Sequence, residues 1–119
     1  MQIAGEVIHG AQRGRELGFP TANIAMDAAD DMRFGVYAGR ALGRPAAVSV
    51  GVRPTFGTGL EPLAEVHILD FEGDLYGQEL EVELLEFLRP EVAFGSADEL
   101  VRQIDEDVAQ VRAVVSGGG

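Results

Sequence analysis

Glu79-Leu80-Glu81-Val82-Glu83-Leu84 alternates acid and aliphatic residues without a break. A period of two puts Leu80, Val82 and Leu84 on one face of an extended strand and the three glutamates on the other. The stretch Glu79–Leu88 is therefore read as a β-strand with one face toward water. Four more short runs of β-branched and aromatic residues precede it: Ile3–His9, Gly35–Leu42, Ala46–Val52 and Ala64–Phe71. Glu72-Gly73-Asp74, between the last two strands, has the composition of a tight hairpin turn. Five strands at this spacing predict a mainly β domain, as an antiparallel sheet or a small closed barrel. Closure would remove exposed edges.

The period changes near the C-terminus. Ser96-Ala97-Asp98-Glu99 is a capping box, in which Ser96 and Glu99 satisfy each other's end of a helix start. Leu100, Ile104, Val108, Val111 and Val115 then recur at helical spacing, with Asp105, Glu106 and Arg112 off that stripe. The plain expectation for such a helix is a lid over one barrel opening. Residues 1–115 form one domain in this reading, and 116–119 a flexible glycine tail.

Composition removes whole classes of function. The chain has 119 residues, 20 acidic side chains and 9 basic ones, for a net charge of −11. All nine bases are arginine, and six of them fall in residues 1–60. A P-loop and Schiff-base chemistry both require lysine, so neither is available. Without cysteine there are no disulfides, cysteine–zinc sites or thiol nucleophiles. The acidic balance argues against a nucleic-acid partner. Met1–Glu6 lacks the features of a signal peptide, and no apolar run approaches a membrane span. A cytoplasmic monomer is the expectation.

Two long stretches, Gly10–Asp31 and Arg53–Pro62, do not read as regular structure, and function is sought there. In the first, Gly10, Gly14 and Gly18 free backbone N–H groups for an anion-binding nest, and Arg13 and Arg15 add fork-shaped donors. A mobile surface turn is the plainer alternative. Pro20 biases Phe19 toward an extended conformation. If the chain stays extended there, Thr21 and Asn23 point to the same side. Hydroxyl and amide oxygens together suit Mg²⁺, although a local Asx or ST turn would use the same residues. Tyr37, Phe56, Tyr76 and Phe94 can stack on an aromatic ligand or simply fill a core. Arg53 and Arg89, each before a proline, can bind phosphate or pair with a carboxylate. His9 and His67 are too isolated for a transition-metal site, and core or edge positions are the plainer expectation.

The string Gly14-Arg15-x-Leu17-Gly18-Phe19-Pro20-Thr21-Ala22-Asn23 resembles the signature of riboflavin kinases, particularly the C-terminal kinase module of bacterial bifunctional FAD synthetases. Further matches follow in order: Gly35-Val36-Tyr37-Ala38, Gly51-x-Arg53-Pro54-Thr55-Phe56-Gly57 and Glu65-Val66-His67-Ile68-Leu69-Asp70-Phe71. After these come Asp74-Leu75-Tyr76-Gly77 and Phe87-Leu88-Arg89-Pro90-Glu91-x-x-Phe94. The match departs at Ala11-Gln12, where bacterial members often carry charge, and at Met32-Arg33-Phe34, where a proline is common.

The resemblance implies a six-stranded antiparallel Greek-key barrel with a C-terminal helix packed against it. It implies ATP-dependent phosphorylation of the ribityl 5′-hydroxyl of riboflavin, giving FMN and ADP. By position, Gly10, Arg13, Gly14, Arg15, Gly18, Phe19, Pro20, Thr21 and Asn23 would bind ATP, and Thr21 and Asn23 would hold Mg²⁺. Glu65 would be the general base, since a primary hydroxyl needs a carboxylate to orient it and take its proton. Arg89, Phe94, Ser96 and Leu100 would lie on the flavin side. The FMN adenylyltransferase domain that usually precedes this module is absent from the chain as given. A non-catalytic flavin-binding module of the same fold is the alternative, but such a module has no need of Thr21, Asn23 and Glu65 together.

Overall fold

In the computed structural model of this chain, Leu80, Val82 and Leu84 are buried and Glu79, Glu81 and Glu83 are exposed, as the alternation requires. The structure describes residues 2–8, 22–25, 33–55, 59–71, 75–90 and 95–117. In chain order the elements are β1 (Gln2–Ile8), β2 (Ala22–Ala25), β3 (Gly35–Ala41), β4 (Arg44–Thr55), β5 (Gly59–Ile68), β6 (Glu79–Arg89) and α1 (Ala97–Gly117). The strands close into a barrel in the order β1-β2-β5-β4-β3-β6, every neighbouring pair antiparallel. Strands β3, β4 and β5 follow one another as neighbours, and β2 returns beside β5, which is the Greek-key arrangement.

In a barrel this small the interior is packed with side chains. Ile3, Val7, Ile24, Val48, Val50, Val66, Leu80 and Val82 point inward as one cluster, with Ile24, Val48, Val50 and Val82 wholly removed from solvent. A second, smaller cluster lies outside the barrel wall. There Ala38 and Leu69 meet Val111 of α1, with Ala47, Leu88, Val108 and Val115 around them. The helix therefore lies along the outer wall of β3, β4 and β6, not over a barrel opening as expected. The reason is visible in the strands: Ala38 and Ala47 face away from the core, and small apolar residues on an outer face need a cover.

Other expectations also change. Ala22–Ala25 is a strand inside the stretch read as irregular, and Arg53–Pro62 is strand on both sides of 56–58. Four residues holding one buried aliphatic, Ile24, give too little periodicity to announce a strand; pairing with β1 and β5 makes one. The hairpin between the last two strands does not exist, because β5 and β6 are not neighbours. Residues 72–74 themselves lie outside the described residues. At the helix start, the Glu99 amide donates to Ser96 Oγ at 3.2 Å, but the Glu99 carboxylate accepts from the Gly95 amide at 2.9 Å, one residue earlier than the box predicts. The helix continues through Ser116 to Gly117.

The β3–β6 ladder carries two irregularities, between Val36 and Tyr37 and between Ala38 and Gly39. The second leaves Leu85 unpaired and turns Phe87 toward Tyr37. It also brings the strands so close that a Cβ at Gly39 would collide with the Glu83 carbonyl oxygen. Strands β3 and β4 are joined by Leu42-Gly43, with φ of 54° and 73°. That is the left-handed pair a two-residue hairpin demands, and leucine is poorly suited to it. Leu42 is also 54% exposed, so its side chain gains little by being there. Replacing Leu42 by Asn is expected to stabilise the fold by about 0.5–1 kcal/mol. Urea unfolding checks this, and an unchanged or lowered midpoint would contradict it.

Candidate functional site

The barrel register brings two widely separated residues side by side. Asn23 of β2 lies directly across from Glu65 of β5, and Glu65 directly across from Ser49 of β4. Their neighbours Ile24, Ala64 and Val66 fill the barrel interior, so alternation sends Asn23, Glu65 and Ser49 to the outer side. The row continues through Val36 to Arg89 in one direction and to Ile8 in the other. A band of register pairs thus runs around the barrel with three polar side chains in succession.

Asn23 is 4% exposed, and among the described residues its buried Oδ1 has no hydrogen-bond partner. A buried carbonyl oxygen left unsatisfied costs about 1–3 kcal/mol. Such an atom is explained when a ligand completes it, and a hard amide oxygen beside a carboxylate suits Mg²⁺. The donor chemistry at this point fits that ion. Glu65 and Ser49 are half-buried, and each already has an interaction partner. His67 follows Glu65 on the same outer face and is half-buried. Burial, reinforced by the Arg112 cation, holds its imidazole below the ordinary histidine range. Arg112 in turn grips Asp70 through two bonds of 3.0 and 3.1 Å. That guanidinium keeps the Asp70 carboxyl below its usual range.

The other expected site residues are distributed differently. Gly10, Arg13, Gly14, Arg15, Gly18, Phe19, Pro20, Thr21 and Phe94 lie outside the described residues, as does Phe56. Arg89 ends β6, and its guanidinium clasps Asp107 of α1 with bonds of 2.9 and 2.8 Å. Of the two alternatives for this arginine, a carboxylate partner is therefore present. A third bond runs from Arg89 to the Pro90 carbonyl at 3.2 Å. Ser96 is exposed and its hydroxyl caps α1, while Leu100 is half-buried in the first turn. Tyr37 is packed against the core, edge-on to Phe87 at 5.2 Å, with its hydroxyl donating to the Arg33 carbonyl. Tyr76 is 53% exposed.

Two residues absent from the sequence reading matter here. Ser49 gave no signal, because its significance comes from the residue it faces. Asp107 gave one: it sits between Ile104 and Val111 on the apolar side of the helix, where an acid demands a partner. It is 5% exposed and also accepts from Gln103 Nε2 at 3.1 Å. Among the described residues, no helix is long and apolar enough to cross a membrane.

Comparison with known proteins places the chain in a family. The family model for riboflavin kinase (Flavokinase) matches residues 1–115. The chain is 41% identical to the bifunctional riboflavin kinase/FMN adenylyltransferase of Haemophilus influenzae, over 94% of this chain and 38% of that protein. It thus spans well under half the length of the bifunctional relatives it matches. Among solved structures, a Streptococcus pneumoniae chain described as a macrolide-efflux protein superposes with a TM-score of 0.81 at 37% identity, over 93% of this chain and 38% of its own. The riboflavin kinase of Trypanosoma brucei superposes with a TM-score of 0.71 at 28% identity, over 97% of this chain and 79% of that one.

Proposed function

Because this chain belongs to the riboflavin kinase family, we propose that it transfers the γ-phosphoryl group of ATP to the ribityl 5′-hydroxyl of riboflavin, yielding FMN and ADP. The observation that carries this reading is the pairing of Asn23 with Glu65 across β2 and β5, one with an unsatisfied buried oxygen and the other a carboxylate. Those are the two kinds of group that phosphoryl transfer to an alcohol uses: an anchor for phosphate-bound metal and a proton acceptor.

In this proposal Glu65 orients the hydroxyl and accepts its proton as the oxygen attacks phosphorus, while the bond to the ADP oxygen breaks. Asn23 Oδ1 and Thr21 would hold Mg²⁺. When bound, that ion supplies charge neutralisation on the phosphates. Gly10, Gly14 and Gly18 would face the phosphates through backbone donors, aided by Arg13 and Arg15, in a chain that has no lysine for the task. Phe19 and Pro20 complete the ATP side. Arg89, Phe94, Ser96 and Leu100 are proposed for the flavin side, Arg89 as a scaffold held by Asp107.

Incubation with riboflavin and Mg-ATP, followed by chromatography, should yield FMN. Folded protein that binds riboflavin and forms none would replace this reading with a non-catalytic flavin-binding module. Asn23→Ala is expected to raise the Mg²⁺ concentration for half-maximal rate by about tenfold or more. An unmoved metal titration would remove Asn23 from the ligand set.

A further inference from the structure

Ser49 lies directly opposite Glu65 in the β4–β5 register. Opposed residues on one face of an antiparallel pair have Cβ atoms about 4.5–5.5 Å apart, within reach of a hydroxyl and a carboxylate. The rest of β4 shows how specific this position is. Ala46, Val48 and Val50 fill the barrel and Ala47 lies under the helix, so Ser49 is the polar side chain between them. It is half-buried, next to buried Val36 on β3, which strengthens a hydrogen bond relative to open water.

We propose that Ser49 is a positioning residue for Glu65: its hydroxyl donates to the carboxylate and holds it aimed at the acceptor hydroxyl. This rests on Glu65 being the base. The bond limits the rotamers of a flexible side chain on an outer barrel face.

The test compares wild type with Ser49→Ala, Ser49→Thr and Glu65→Gln, measuring kcat and both KM values. Ser49→Ala should lower kcat about tenfold. Its KM for Mg-ATP should not change. Ser49→Thr, which keeps the hydroxyl, should restore the rate. A kcat in Ser49→Ala equal to that of wild type overturns the proposal, and so does a threonine variant as impaired as the alanine one. If circular dichroism shows that Ser49→Ala does not fold, Ser49→Cys, with its weak S–H donor, is measured against the same expectations. Full turnover in Glu65→Gln would instead remove the base itself, and the role of Ser49 with it. A dead Glu65→Gln beside a normal Ser49→Ala sinks the role of Ser49 alone.

Discussion

Replacing Glu65 by Gln is expected to lower kcat for FMN formation by about 10²- to 10⁴-fold, while riboflavin and Mg-ATP still bind. The substitution keeps the size of the side chain and removes its capacity to accept a proton. Structural collapse is not expected to mask the result. Strand β5 is paired along both edges, to β2 and to β4, and its inward neighbours Ala64 and Val66 carry the packing at this point. Glu65 itself points away from that core, so the backbone that positions it does not depend on its charge. Titration of both ligands beside a rate measurement separates binding from turnover. Undiminished activity would remove Glu65 from the reaction.

The second large effect concerns stability. Asp107→Ala is expected to destabilise the domain by about 2–4 kcal/mol, near the lower part of the range for breaking a buried ion pair. The Asp107 side chain is 7% exposed and that of Arg89 20%, so water can relieve some of the stranded charge but not most of it. Loss of the carboxylate strands more than one donor, since Arg89 bonds it twice and Gln103 once. Against a typical total of about 5–15 kcal/mol, this is a large share. A drop in melting temperature on the order of 10 °C follows for a domain of this size. The pair is needed as a pair, not for net attraction: Arg89→Met with Asp107→Leu should recover most of the loss, because two apolar groups leave no orphaned charge. A single Asp107→Ala variant that melts with wild type would contradict this account.

The difference between what could and could not be read in the sequence has a physical basis. The strand at Glu79–Leu84 was legible because one face meets water and the other the core, which writes the period directly into the residues. The bulge at Leu85 was not read from the sequence, because it arises in the pairing of β6 with β3. The helix was legible from its stripe and its serine cap, but not its seat, since a stripe says that a face is covered and not by what. Strand β2 was hidden because its order comes from its neighbours. The Asn23–Glu65 pair was hidden for the same reason: it joins strands far apart in sequence through a register that local pattern cannot encode. Recognition of family motifs named both residues before their adjacency was visible. Asp107 was within reach, as an acid on an apolar helix face.

The ladder between β4 and β5 bears on motion. It is registered without a shift from Ala46↔Ile68 to Thr55↔Gly59, and Ser49 and Glu65 are paired within it. Amide hydrogens at the centre of so long a ladder should exchange only when the whole domain comes apart. The proposed base then keeps its place while substrates enter and products leave.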